Sequence, residues 1–160
     1  MVDLRALHAG LGHNDVVTYI QSGNVVFDAQ VGDLVSLRRG IEEAIVDEFG
    51  FEVPIMIRTP MELEGVMASS PYRASGAEPA RLAVAFLAEP PASDRAAAMD
   101  PDAFLPDEFR LSGREVFLHC PTGFGRTRLT HTYLERQLGV AATIRGWKTV
   151  TKLAGLADRR

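Results

Sequence analysis

The chain has 160 residues, 46% of them hydrophobic and 24% charged, a composition that supports a folded core and excludes an intrinsically disordered protein. No apolar run reaches the length of a membrane span and Met1–Arg5 is no secretory signal, so we expect no membrane partner. The single cysteine excludes an internal disulfide framework and indicates a reduced, cytoplasmic protein.

The net charge of −4 is the average of two very different parts of the chain. Residues 1–109 carry 7 basic and 18 acidic side chains, whereas residues 110–160 carry 10 basic and 3 acidic ones. The first part is therefore strongly acidic and the second strongly basic. Such asymmetry predicts an anionic partner for the basic part.

The first half of the chain alternates between helical and strand patterns. Ser22-Gly23-Asn24 separates two β-rich runs and predicts a hairpin, while Asp33 and Gly50 are typical of the two ends of a helix. In chain order, the patterns predict a helix over 2–9, strands over 16–21 and 25–27, a helix over 33–49, a strand over 51–57 and a short helix from Pro60.

The second half begins after a loop rich in serine and proline. Ser112-Gly113 predicts a second hairpin, and Gly139 is typical of a helix end. In chain order, the patterns predict a strand over 81–87, a brief helix from Ser93, strands over 109–111 and 115–119, a helix beginning at Thr127, a strand over 140–145 and a last helix capped by Thr149.

The order of these elements predicts the fold. The second half reads strand, helix, strand, strand, helix, strand, which is the split βαββαβ unit of ferredoxin-like folds, followed by an extra helix. The first half would match it if one strand stood before Met1. We therefore expect an α+β protein of two tandem ferredoxin-like modules, residues 1–72 and 80–160, with the first module missing its opening strand.

Three segments carry a family resemblance: Thr18–Phe27, Phe49–Pro54 and Phe86–Pro91. With matching positions between Gly123 and Leu153, they resemble the bacterial domain of unknown function 1697 family. The resemblance implies an α+β fold with a ferredoxin-like duplication and carries no established activity.

The chain departs from the family pattern at its start, where members usually have an extra strand and a glycine-rich loop. Cys120 also replaces an aromatic residue, and Gly146 an asparagine. Without the opening strand, its neighbours would expose unpaired backbone edges. We therefore expect a poorly soluble module that is strand-swapped or completed by a partner, or a homo-oligomer formed through the unpaired sheet edge.

The basic part of the chain predicts a surface for a phosphate-bearing ligand or nucleic acid. Arg126 and Arg128 lie at the expected start of a helix, where the backbone favours anions. The remaining residues of this prediction follow on the next strand and helix: Arg145, Trp147, Lys148 and Lys152. Trp147 could stack on a base. The alternative is that the charges form a solvated face and that Trp147 anchors the core.

A second hypothesis is a cysteine-dependent phosphatase, because Cys120 precedes Arg126 and Thr127 at the spacing of such phosphate loops. The loop would cradle phosphate and lower the thiol pKa, and Asp107 or Asp102 would serve as general acid. However, the preceding strand belongs to a predicted hairpin, whereas these phosphatases use a parallel sheet. A glycine turn with a chance cysteine explains the same residues.

No metal site or cofactor is predicted. The four histidines share no ligand spacing, and Gly123-x-Gly125 lacks the third glycine and the acidic residue of a dinucleotide fingerprint. A third hypothesis is a non-catalytic interaction module that uses the open sheet edge to recruit a partner strand.

Overall fold

A computed structural model describes residues 1–30 and 32–159. The chain forms two compact units, one comprising Met1–Pro60 with the residues from Lys152 on, the other Met61–Thr151. Both contain helices and a sheet of their own, so the protein is of mixed α+β class. Among the described residues, none of the helices is long and apolar enough to cross a membrane.

The first unit is built on a hairpin and two helices. In chain order these are α1 (Val2–Gly10), β1 (Asn14–Tyr19), β2 (Asn24–Asp28) and α2 (Leu34–Phe49). β1 and β2 pair antiparallel, with Val17 opposite Val26, and form a sheet of two strands. The side-chain amide of the buried Asn24 donates to the Tyr19 carbonyl (3.2 Å) and the Ser22 hydroxyl (2.8 Å), which ties the predicted turn together.

Helix α2 has the ends that the sequence predicts. The Asp33 carboxylate accepts a hydrogen bond from the Ser36 N–H (2.8 Å), and Gly50 closes the helix at φ +77°. That hydrogen bond lowers the pKa of Asp33. The helix buries Ile41 and Ile45.

The strand predicted over residues 51–57 is wrong. The segment contains no strand. The Ile55 N–H donates to the Glu42 carboxylate (3.0 Å) rather than to a neighbouring backbone. The alternation does not correspond to one buried side either, because Phe51 is 57% exposed while Val53, Ile55 and Ile57 are half-buried.

The second unit contains a sheet of four antiparallel strands. Its strands are β3 (Leu82–Leu87), β4 (Glu108–Ser112), β5 (Glu115–His119) and β6 (Ala142–Gly146), in the spatial order β4-β5-β3-β6. Its helices are α3 (Pro60–Ser69), α4 (Pro71–Ala74), α5 (Ser93–Ala97) and α6 (His131–Leu138), and α7 (Trp147–Ala157) follows β6. β3 has a paired strand on each side, and its side chains are buried on both faces of the sheet.

Helices α6 and α7 begin at positions that differ from the prediction. Thr130, not Thr127, caps α6, because its hydroxyl accepts the Tyr133 N–H (3.1 Å). α7 begins at Trp147 rather than after Thr149. Residues 120–130 are therefore a loop, and the expected direct passage from the Cys120 loop into a helix is wrong.

One hydrophobic cluster of the second unit lies on one face of this sheet, and Leu82, Val84 and Phe86 are buried on the other face. Ala83, Ala85 and Leu87 alternate along β3 and pack with Val116 and Leu118 of β5. The helices and loops add Met99, Phe104, Leu129, Leu134 and Leu138. These contacts fix the strands whose ends carry the loops described below.

Two histidines share one hydrogen bond inside the first unit. His8 is 3% exposed, and its Nδ1 lies 2.9 Å from the Nδ1 of His13. The Phe27 ring stacks on His13 with a centroid distance of 4.4 Å. Because one nitrogen must donate and the other accept, the pair tolerates neutral rings but not two protonated ones.

We expect this pair to make the first unit sensitive to acid. Burial and the neighbouring His13 lower the pKa of His8 from 6.5 to about 4. The unfolded chain therefore takes up a proton below pH 6.5 that the folded chain excludes, and the free energy of unfolding falls by about 2 to 3 kcal/mol between pH 6.5 and 4. Urea unfolding followed by circular dichroism at several pH values measures this loss.

His8→Gln should be less sensitive to pH between 7 and 5 than the unsubstituted chain, since carboxylates are already ionised over most of that range. His131→Gln is the matched control because His131 is exposed. Equal pH dependence in all three proteins would contradict the assignment.

Candidate functional site

Strand register brings four segments to one end of the four-stranded sheet. His119 lies opposite Leu82 on β3 and opposite Glu108 on β4. Ala83 lies opposite Gly146, so the end of β6 lies at the same sheet end. The residues just outside the strands there are Arg81, Asp107, Cys120 and Trp147. We refer to these residues, with the loop 120–130, as the sheet-end site.

A tight turn begins the loop of the sheet-end site. The Cys120 N–H donates to the Arg81 carbonyl, and the Gly123 N–H donates to the Cys120 carbonyl, both at 2.9 Å. Gly123 has φ +96°, and a Cβ there would lie 2.9 Å from Arg81 Nη1. Glycine is therefore needed for its backbone conformation and for the close approach of the Arg81 guanidinium.

Arg81 is a site residue that the sequence analysis missed. It lies in the acidic part of the chain and far in sequence from the loop, and the pairing of β3 with β5 brings it there. Glu78 offsets part of its charge at a distance of 3.9 Å. The only signal in the sequence for this role of Arg81 is its position as a basic residue directly before a buried strand.

The middle of the loop presents a charge and open backbone donors. Arg126 is exposed. Phe124 and Gly125 form a hydrogen-bonded turn that uses the Arg126 N–H, whereas the neighbouring N–H groups of Gly125, Thr127 and Arg128 make no backbone hydrogen bond among the described residues. The arrangement can donate several hydrogen bonds to an anion beside a guanidinium.

Arg128 is exposed but anchored. Its Nη2 donates to the Ala103 carbonyl, and its guanidinium lies 5.1 Å from the centre of the Phe104 ring. Phe104 is buried in the core. Arg128 therefore holds the loop against the acidic segment around Asp102 and is restricted in how it can meet a ligand.

The other predicted binding residues do not join into one surface. Trp147 is 6% exposed, with the Arg73 guanidinium 5.8 Å from its ring centre, so its ring is not available to stack on a base. Arg145 is half-buried and donates to the Thr143 hydroxyl (2.6 Å) and the Ile144 carbonyl (3.0 Å), and burial lowers its pKa. These contacts agree with the core-anchor alternative for Trp147.

Lys148 and Lys152 are exposed on α7. Lys148 lies at the sheet end of the second unit, whereas Lys152 groups with the first unit. Of the predicted ligand residues, Arg126, Arg128 and Lys148 thus remain as exposed charges in the second unit.

The structure places the thiol of the phosphatase hypothesis in the interior. Cys120 is fully buried, with Sγ 3.6 Å from the Thr127 hydroxyl. Burial raises the pKa of the Cys120 thiol. The charge of Asp107 and a hydrogen bond with the Asp107 side chain raise that pKa further. Three of the four predicted residues, Cys120, Thr127 and Asp107, therefore lie together, while Arg126 is exposed.

This geometry is unfavourable for nucleophilic catalysis. A nucleophilic cysteine needs a lowered pKa and access to substrate, and this thiol has neither. The loop also follows an antiparallel strand and precedes no immediate helix. Among the described residues, no group of three or more histidine, cysteine, aspartate or glutamate side chains could hold a metal ion.

Polar side chains line the β4 side of the sheet-end site. His119 Nδ1 lies 3.1 Å from the Glu108 carboxylate, and the Tyr72 ring contacts the imidazole at a centroid distance of 5.4 Å. Burial and the charge of Glu108 raise the pKa of Tyr72 to about 12. The tyrosine hydroxyl therefore stays protonated at neutral pH and can act as a donor.

Fold and site together define a mixed α+β protein with a basic, glycine-containing loop at one end of an antiparallel sheet. The chain belongs to the DUF1697 family of proteins of unknown function, whose sequence profile matches residues 1–117. This confirms the family resemblance. The matched residues end just before the loop that begins at Cys120.

A solved structure shares the fold. The conserved bacterial protein SP0830 from Streptococcus pneumoniae superposes with a TM-score of 0.75 at 22% sequence identity, over 98% of this chain and 88% of that one. No curated protein matches the chain.

We expect Cys120 to be unreactive in the folded protein. A chromogenic disulfide reagent should modify it at least about a hundredfold more slowly in buffer than in urea, because the thiol is buried and its pKa is raised. Asp107→Asn should speed the native reaction, since it removes a negative charge beside the thiol. Asp102→Asn, an exposed change of the same kind, should not. Rapid modification of the native chain would reopen the nucleophile hypothesis.

Proposed function

We propose that this protein binds a phosphate-bearing ligand at the sheet-end site, with Arg126 as the main contact and Arg81, Arg128 and Lys148 as flanking charges. The observation that carries the proposal is the exposed Arg126, which lies between Gly125 and Thr127, whose backbone N–H groups make no hydrogen bond among the described residues. A phosphate group accepts several hydrogen bonds at once and matches a guanidinium in a bidentate way.

The same geometry favours recognition of the phosphate over recognition of bases. With Trp147 buried, the predicted stacking platform of a nucleic-acid site is missing. Nucleic acid would therefore bind through its backbone, with strong salt dependence and little sequence preference. A free phosphate-bearing molecule would use the same contacts.

Arg126→Ala should weaken binding of inorganic phosphate, and of a short single-stranded RNA at low salt, by roughly tenfold, and should reduce the salt slope for RNA by about 1. NMR titration with phosphate and fluorescence anisotropy with RNA measure these effects. Arg136→Ala is the matched control, because Arg136 is equally exposed but lies on α6. Absence of binding of both probes at low salt, or equal losses in both variants, would overturn the proposal.

We also propose the finer organisation expected from the sequence, two ferredoxin-like modules over residues 1–72 and 80–160. For the second module, the spatial order β4-β5-β3-β6 with antiparallel pairing throughout supports it. For the first, support is limited to the sequence of helix, two strands and helix. A location in the bacterial cytoplasm also remains a proposal, supported by one buried, unpaired cysteine.

A second candidate function is recruitment of a partner strand by the first unit. Among the described residues, β1 and β2 form a sheet of two strands, so no third strand lies beside Val16–Thr18 of β1 or Val25–Phe27 of β2. Such edges are templates for further pairing. A second copy of the chain is the simplest source of that strand.

If the open edge pairs with a second copy, the protein should dimerise at micromolar concentrations. Light scattering during size-exclusion chromatography should then give a mass near twice 17.5 kDa. Val17→Lys and Val25→Lys should shift the mass to that of the monomer, since charged residues block edge pairing. A monomer at all concentrations would rule out this candidate without affecting phosphate binding.

A further inference from the structure

The first unit contains a cavity of its own, apart from the sheet-end site. Its volume is about 490 Å³. Residues from the α1–β1 turn, the segment after β2 and one side of α2 line it, among them His13, Asn14, Gln30, Leu37, Gly40 and Ile41. This volume lies within the range of sites for small organic ligands.

The lining combines neutral polar groups with apolar surface. Asn14 and Gln30 supply amides, and Leu37 and Ile41 supply an apolar wall, while the Ser36 hydroxyl donates to the Asp33 carboxylate (2.8 Å). None of the described lining residues is cationic, and the Asp33 carboxylate lies beside the lining. The cavity therefore disfavours anions and suits an uncharged molecule that can hydrogen-bond.

His13 gives the cavity a fixed aromatic wall. Phe27 stacks on the His13 ring with an interplanar angle of 13°. The Nδ1 atom of His13 lies at hydrogen-bond distance, 2.9 Å, from the Nδ1 atom of His8. Nε2 is thus the ring nitrogen left for a ligand. Burial lowers the pKa of His13, so the ring is neutral at physiological pH and can hydrogen-bond without attracting an anion.

We propose that this cavity binds an uncharged nitrogen heterocycle of the nucleobase type, held by the Asn14 and Gln30 amides and His13 against the apolar wall. The edge of such a ring presents donors and acceptors side by side, which amide groups can match in pairs. Its faces are apolar and suit the leucine and isoleucine side chains. Its size leaves room for an attached ribose. This site and the sheet-end site are independent of each other.

Gly40 allows the cavity to be filled. A Cβ added there would meet no heavy atom within 4 Å, and Gly40 lies in α2, where its substitution keeps the helix. Gly40→Phe should occupy the cavity with its ring, whereas Gly40→Ala adds only one methyl group and favours the helix. The two variants separate loss of space from disturbance of the fold.

The test is an NMR titration of the full chain with adenosine and with uridine. The nucleosides carry no phosphate, and about 0.5 M NaCl screens the charges of the sheet-end site. At least one nucleoside should shift resonances of the cavity residues with saturation. Gly40→Phe should weaken its binding at least tenfold, and Gly40→Ala should leave it within twofold.

Gln30→Leu gives a second test that does not fill the cavity. Gln30 is exposed, so the substitution should preserve the fold while removing an amide, and binding should weaken about fivefold. Arg126→Ala should have no effect on nucleoside binding. Absence of shifts for both nucleosides at millimolar concentration, or unchanged binding in a folded Gly40→Phe protein, would overturn the proposal. Neither result would bear on phosphate binding at the sheet-end site.

Discussion

The second unit depends on the pairing of one buried strand with a neighbour on each side. β3 is apolar over all six residues, Leu82–Leu87, and every one of them is buried. Such a strand leaves no polar side chain for water, so its backbone groups must be satisfied by β5 and β6. Once Leu82 lies opposite His119 and Ala83 opposite Gly146, the positions of the surrounding loops follow.

This register explains why the sheet-end site mixes charges from distant parts of the sequence. Arg81 precedes β3, Cys120 follows β5 and Asp107 precedes β4, and all three lie at one end of the sheet. The site has an interior part and a solvent-facing part. The Asp107 carboxylate and the Cys120 thiol are buried, whereas Arg126 is exposed. The interior groups hold the exposed part in place, and the proposed phosphate contact of Arg126 lies in that part.

Asp107 has an unfavourable environment in the sheet-end site, because, within the part of the chain that the structure describes, part of its side chain is buried without a hydrogen bond. Its Oδ1 is buried without a hydrogen-bond partner among the described residues, beside a thiol whose pKa is raised. A buried carboxylate oxygen without a partner costs free energy of folding. The charge of Asp107 makes ionisation of the neighbouring thiol more costly and keeps Cys120 in its neutral form. The cysteine motif that is typical of phosphate loops thus sits in an environment that opposes the chemistry of such loops.

The sequence alone determined much of the local structure, because the signals for it are local. Asp33 and Gly50 predicted the ends of α2, Ser112-Gly113 predicted the β4–β5 hairpin, and the apolar run of β3 predicted a strand. The family and the α+β class could also be recognised from the sequence. Each of these depends on residues close together in the chain.

Tertiary structure decided the features that depend on partners distant in sequence. The alternating segment 51–57 contains no strand, and the Glu42 side chain accepts the Ile55 N–H. Trp147 and Cys120 are buried, and Arg81 lies against Gly123, because strand pairing and packing place them there. Residue type and spacing fix what a side chain can do chemically, whereas burial and neighbours decide which of those properties is available to a ligand.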